Sequence, residues 1–257
     1  MSAAVVCLVA FAASLLTFFS GFGLGTLLLP AFALFYPIEI AVASTAIVHL
    51  LNGLLKLALV GRHADRSIVL RFGLPAIAAA FLGAWLLMQL SGIRPVARFS
   101  LFGVDAEILP AKLVVGVLLL LVTLAELSPR LESASLPSKF LPLGGLLSGF
   151  FGGLSGMQGA LRSVFLIRSG LSQAGYIATG AVVASLVDVS RLAVYGRSLL
   201  TQRGQFDYPI LGAAVASAFA GAFLGARLLP KVSLRGLQRG VGLLLLIVAI
   251  GLILGIL

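Results

Sequence analysis

The sequence predicts an all-α polytopic membrane protein with about eight hydrophobic helical segments. They form two inverted four-segment repeats, and the first segment of each half is glycine-rich and broken or re-entrant. Three observations predict this: an oily composition, apolar runs of membrane-crossing length, and motifs that recur in the same order in both halves. Of the 257 residues, 60% are hydrophobic and only 10% charged, against roughly 45–50% and 25% in soluble domains. The runs Gly73 to Leu90, Ala111 to Ala125, Tyr208 to Leu229 and Val241 to Leu257 approach or reach the ~20 residues that cross a bilayer as a helix. Barrel strands would be about half as long and would alternate in polarity.

The amino-terminal stretch "MSAAVVCLVAFAASLLTFF" has no basic region, and its apolar run continues to about Tyr36. It is therefore expected to be a retained segment rather than a cleaved signal. Cys7 is the only cysteine, which excludes an internal disulfide or a cysteine-based metal cluster. The net charge of +10 comes from 18 basic residues scattered in ones and twos between apolar runs. That pattern sets membrane topology rather than forming a nucleic-acid surface.

The repeat is visible directly. "SGFGLG" (Ser20 to Gly25) answers "SGFFGGLSG" (Ser148 to Gly156), "KLALVGR" (Lys56 to Arg62) answers "RLAVYGR" (Arg191 to Arg197), "AFLGAWLL" (Ala80 to Leu87) answers "AFLGARLL" (Ala222 to Leu229), and "VVGVLLLLV" answers "GVGLLLLIV". Residues 1–130 thus form an N-terminal repeat, 131–140 a linker, and 141–257 a C-terminal repeat. Each half reads as a glycine-rich segment, a helix ending in Gly-Arg, a helix holding AFLGA, and a Leu-rich helix. The small-residue strings suit close helix packing in lipid. If the first segment of each half turns back, the loops around 62–71, 130–139 and 227–239 share one side with nine basic residues, against five in the loops around 94–112 and 197–203. Eight full crossings divide the same charges evenly, so the charge rule favours the inverted arrangement with both termini outside the cytoplasm.

Charged residues inside a membrane helix cost about 2.5–3.5 kcal/mol each on insertion scales. In the second segment Thr45, His49, Asn52 and Lys56 share one helix face, and in its counterpart Ser185, Asp188 and Arg191 do the same. Two polar faces on equivalent helices suggest a shared interior. Simpler readings stay open: Lys56 and Arg191 as snorkelling charges, Asp188 with Arg191 as a structural pair, His49 as an interhelical hydrogen-bond partner.

The glycine-rich stretches complete the candidate site. A break followed by a new helix exposes N–H groups and a positive dipole end, which suits an anion. In the second half Gly153 and Gly156 permit the turn, Ser155 and Gln158 add donors, and Arg162 places a charge one turn into the new helix. In the first half Gly21, Gly23, Gly25 and Thr26 offer the matching break. The sequence carries no hydrolase, metalloprotease or nucleotide-binding motif, so catalysis, cofactor and metal are not expected.

The glycine-rich openings, "PIEIAVASTAIVHLLNGLLKLALVGR", the two AFLGA helices and the ending "RLLPKVSLRGLQRGVGLLLLIVAIGLIL" together resemble the sulfite exporter TauE/SafE family, also called the 4-toluene sulfonate uptake permeases. The resemblance covers nearly the whole chain. It implies secondary transport of a small sulfur-containing anion, such as sulfite, sulfoacetate or another organosulfonate, across an inner membrane, with the anion near the midplane between the two breaks. The second break, "GLSGMQGALRS", departs from the family pattern by its Gln158 and Arg162 and its lack of proline. The expected partners are the anion and the lipid bilayer, with no nucleic acid. A proton or sodium ion for coupling and a homodimer remain open, as do the alternatives of an anion channel or a non-transporting assembly subunit.

Overall fold

A chain in lipid must satisfy its backbone hydrogen bonds internally, and in the computed structural model of this protein the apolar runs do so as helices. The structure describes residues 2–16, 23–101, 104–128, 135–201, 203–228 and 235–257. The helices are α1 (Ser2–Leu16), α2 (Leu24–Ala33), α3 (Ile38–Val60), α4 (Arg66–Ile68), α5 (Leu74–Ser91), α6 (Pro110–Leu127), α7 (Leu141–Ser155), α8 (Gly159–Leu166), α9 (Gln173–Thr201), α10 (Tyr208–Leu228) and α11 (Arg235–Ile253). Asp65 starts α4 by accepting the Ile68 N–H at 2.9 Å, as an N-cap carboxylate does. The chain then runs through a π-helical turn, Val69–Gly73, into α5.

Among the described residues five stretches are long and apolar enough to cross a membrane: Ile38–His63, Arg66–Ser91, Pro110–Leu127, Gln173–Gly196 and Tyr208–Gly225. The first segment of each half is different. At 1.5 Å per residue, α1, α2, α7 and α8 each reach only about 12–23 Å, short of a ~30 Å hydrocarbon core.

Glycine decides how closely these helices approach. Gly145, Gly149 and Gly153 on α7 lie against the backbone of Phe72, Ala76 and Ala80, and Gly83 on α5 lies against the Phe150 carbonyl. A side chain at any of these four would strike main-chain atoms, so α5 and α7 pack side by side and parallel. Gly221 on α10 meets the Phe11 carbonyl of α1 in the same manner. The other two pairings are antiparallel. On α3 and α9, His49 meets Asp188 while Gly53, one turn later, meets Ser185, one turn earlier. On α6 and α11, Gly116 meets Ala249 and Leu252 while Gly242 meets Leu127.

One element departs from the all-α expectation. Between α5 and α6 a two-stranded antiparallel hairpin, β1 (Ala97–Leu101) and β2 (Val104–Ile108), pairs Arg98 opposite Glu107, whose side chains form an exposed ion pair at 3.0 Å. The segment alternates in polarity at the membrane edge, where water can satisfy its outer face. Glu107 N donates to Gly255 O at 3.1 Å, so the carboxyl-terminal end of the chain is held beside this hairpin. Of the expected linker, residues 131–134 lie outside the described residues. From Leu136 on, the linker packs on the second break, Leu136 N donating to Val164 O at 2.9 Å.

Candidate functional site

Helix α7 ends where its sequence stops supplying side chains. Gly156 takes φ +81°, a left-handed conformation that only glycine adopts without strain, and its N–H closes the helix on Gly152 O at 2.8 Å. Ser155 completes the cap: its hydroxyl donates to Phe151 O at 3.0 Å and accepts from Met157 N at 3.4 Å. Ser148 Oγ donates to Gln158 O at 3.2 Å, and α8 begins at Gly159. In the first half Gly23 precedes α2, and Thr26 N donates to Gly23 O at 3.0 Å; Gly21 lies outside the described residues.

The two breaks touch. A methyl group on Gly25 would fall 2.5 Å from Gly156 O, and one on Gly23 would fall 3.5 Å from Gly159 N. At Gly25 the backbones are closer than a side chain would allow, and the start of α8 is in van der Waals contact with the start of α2.

His49 of α3 and Asp188 and Arg191 of α9 gather at this junction. His49 Nδ1 lies 2.5 Å from Asp188 Oδ2, while Arg191 donates to Asp188 Oδ1 from Nε at 3.0 Å and from Nη2 at 2.7 Å. Asp188 and Arg191 are fully buried. Arg191 Nη1 has no hydrogen-bond partner among the described residues, and it sits against Gly156, where an added methyl would fall 2.5 Å away. An unmet buried donor on a charged group is costly. Thr26 Oγ1, Thr45 Oγ1, Gln158 Nε2 and Ser185 Oγ are buried and partnerless in the same sense. Arg162 Nη1 donates to Gln158 Oε1 at 3.4 Å, and its guanidinium lies over Gly180 of α9, close enough to feel the charges of Asp188 and Lys56.

Of the residues singled out in the sequence, Gly23, Gly25, Thr26, Gly156, Gln158, Arg162, His49, Asp188 and Arg191 are brought to the two touching breaks and the ion cluster beside them. Lys56 lies two turns along α3 from His49. Asn52 is fully buried but turned to α1, where its Oδ1 accepts from Ser14 Oγ at 3.1 Å. Gly153 faces Ala80, and its carbonyl accepts from Tyr195 Oη at 2.6 Å. Ser155 uses its hydroxyl in the cap. Sequence reasoning missed Gly180, Ser148 and Tyr195; Gly180 carried a signal, a glycine two turns before the polar face of α9, but nothing in one sequence tied it to Arg162. A small cavity lined by Glu39, Ala43, Leu87, Tyr195 and Phe206 contains none of the candidate residues read from the sequence.

No curated protein and no solved structure matches the chain. The family model described as Sulfite exporter TauE/SafE matches residues 6–252, a span that includes both breaks, the ion cluster and all but the outermost residues of the first and last helices. With that match over nearly its whole length, and with helices built to cross a bilayer, the chain belongs to the TauE/SafE sulfite exporter family of multi-pass membrane transporters.

Proposed function

We propose that this chain is a secondary transporter of a small sulfur-containing anion, sulfite or an organosulfonate, which binds near the membrane midplane where the two glycine-rich breaks meet. The observation that carries this reading is Arg191 Nη1, a buried cationic donor left over after Asp188 takes the other two nitrogens, facing the glycine backbone at Gly156. An anion oxygen there gains a charge-assisted hydrogen bond, the exposed N–H groups of α8, and the donors of Gln158 and Thr26. Arg162 adds a second charge from the α8 side. Its proximity to Lys56 favours an anion too, because a negative ligand relieves like-charge repulsion. Depth agrees, since His49 is the middle residue of α3, Ile38–Val60.

Two inverted repeats with re-entrant first segments are supported by direction and by the chain's end. Equivalent helices in inverted halves run oppositely, as α3 with α9 and α6 with α11 do, whereas eight full crossings would make them parallel. Eight crossings would also put the carboxyl terminus across the membrane from the 94–112 loop, yet Gly255 is bonded to Glu107. Alternating access then amounts to one half rocking against the other around the site.

The test is thermal-shift screening of purified protein against sulfite, sulfate, sulfonates, carboxylates and phosphate, because a ligand that prefers the folded state stabilises it by mass action. A selective upward shift with sulfite or a sulfonate is expected. Equal shifts from every salt, or none, would count against a dedicated anion site.

A further inference from the structure

The ion cluster offers more than a cation for the anion. Arg191 is permanently charged, so the carboxylate it grips is ionised and can only accept hydrogen bonds. Asp188 Oδ1 takes both Arg191 nitrogens and Oδ2 faces His49 Nδ1 at 2.5 Å. Nδ1 must therefore carry the hydrogen, which leaves Nε2 as the ring's open basic nitrogen. The His49 side chain is 11% exposed whereas Asp188 is sealed, so of the pair only the histidine reaches the surface of the helix bundle. With Nε2 unprotonated, His49, Asp188 and Arg191 sum to zero charge; a proton on Nε2 makes the cluster cationic.

We propose that His49 Nε2 takes up one proton when the anion occupies the break, so that anion and proton are bound as a pair and the proton is the coupling ion. This rests on the anion site described above. The link runs through Asp188: one oxygen holds the arginine that faces the anion and the other holds the histidine. An anion at Gly156 offsets part of the Arg191 charge and favours a positive imidazole a few ångströms away, and electrostatic effects are strong in a desolvated interior. By reciprocity, the proton strengthens anion binding by the same factor.

Other titrating or charged groups near His49 are few. Asp188 of α9 is bonded to it and Arg191 to Asp188, α9 also carries Tyr176, Tyr195 and Arg197, Arg162 of α8 lies over Gly180 of α9, and Lys56 and Glu39 share its helix. Helices α2, α5 and α7 contain none, and α10 has only Tyr208 and Arg227 near its two ends. Histidine is the side chain whose ordinary titration falls between about pH 5 and 8.

The experiment is calorimetric titration of the full-length protein in detergent with sulfate and with methanesulfonate, neither of which titrates between about pH 6 and 8.5. Each titration is run in two buffers of different ionisation enthalpy. Proton uptake approaching one per anion is expected once His49 is neutral, with affinity falling about tenfold per pH unit in that range and uptake vanishing toward low pH. His49→Asn places an amide donor where Nδ1 stands, keeping the bond to Asp188 without a titrating nitrogen; proton uptake should drop to zero and the pH slope should flatten. Anion binding by the parent with no proton uptake at any pH overturns the pairing and leaves the anion site standing, as does full uptake in His49→Asn. If that variant fails to fold, the parent's proton count decides. No binding heat from any anion on folded parent would overturn the site itself and this inference with it.

Discussion

Replacing Gly156 by alanine perturbs the site through one carbon atom, and a second glycine supplies the control. At φ +81° an alanine costs about 1–2 kcal/mol of backbone strain. Its methyl group would also lie 2.5 Å from Arg191 Nη1 and 3.1 Å from Nη2. The guanidinium cannot slide away freely, because Nε and Nη2 are held by Asp188 at 3.0 and 2.7 Å. Nη1 is therefore the group that is displaced or covered. Losing one charge-assisted hydrogen bond costs about 1.5–3 kcal/mol, so anion affinity should fall roughly ten- to hundredfold. Gly170 has nearly the same backbone, φ +76°, with nothing within 4 Å of an added methyl. Gly170→Ala should show the strain as lost thermal stability and leave affinity unchanged. The assay is anion titration and melting temperature for the parent and both variants in one detergent. Parent-like affinity in Gly156→Ala, or an equal loss in Gly170→Ala, would refute the reasoning.

Further outcomes follow from the same geometry. Arg162→Gln should weaken anion binding by about 1.5–3 kcal/mol while stability stays level or rises, read by the same titration and melting curves. Arg191→Gln should destabilise by about 3–5 kcal/mol because the buried Asp188 loses its arginine and keeps only His49, and adding Asp188→Asn should recover much of that loss. Asn52→Ala removes the Ser14–Asn52 hydrogen bond and should cost about 1 kcal/mol of stability with anion affinity unchanged. Tyr36, in the turn after α2, has its phenol pushed above its ordinary value by burial and by Asp207, to which it also hydrogen-bonds. A raised phenol stabilises the fold below its ordinary titration range and loses that contribution as pH rises through the folded value, so the stability gap between parent and Tyr36→Phe should be constant near neutral pH and close only in strong alkali. Cysteines placed at positions 66, 203 and 231 in a Cys7→Ala background should label from opposite sides, 66 and 231 together and 203 apart.

The helices were legible because apolar runs of membrane length leave the backbone one solution, and the glycine breaks because two equivalent stretches lacked helix-forming side chains. The polar faces of α3 and α9 were legible from spacing alone. Their meeting was not, since nothing in a single sequence fixes that His49 lies opposite Asp188 rather than a turn away. The same limit left Arg191 open between the anion and a structural pair with Asp188. Three guanidinium nitrogens leave Arg191 one donor beyond its pair with Asp188, and only the packing against Gly156 shows where that donor lies. The sequence also left open which way Gly153 and Asn52 face, because that depends on α5 and α1, distant in sequence. The hairpin at 97–108 was hidden by its length, five residues per strand in a loop read for charge.

Counterflow in proteoliposomes tests the central claim most directly. Vesicles loaded with unlabelled sulfite or methanesulfonate and diluted into trace labelled anion should show saturable uptake that overshoots in proportion to the internal load, and Gly156→Leu should abolish it while inserting normally. Linear flux without stimulation from the opposite side would make the protein a channel. Undiminished counterflow in Gly156→Leu would mean the anion does not pass between the breaks.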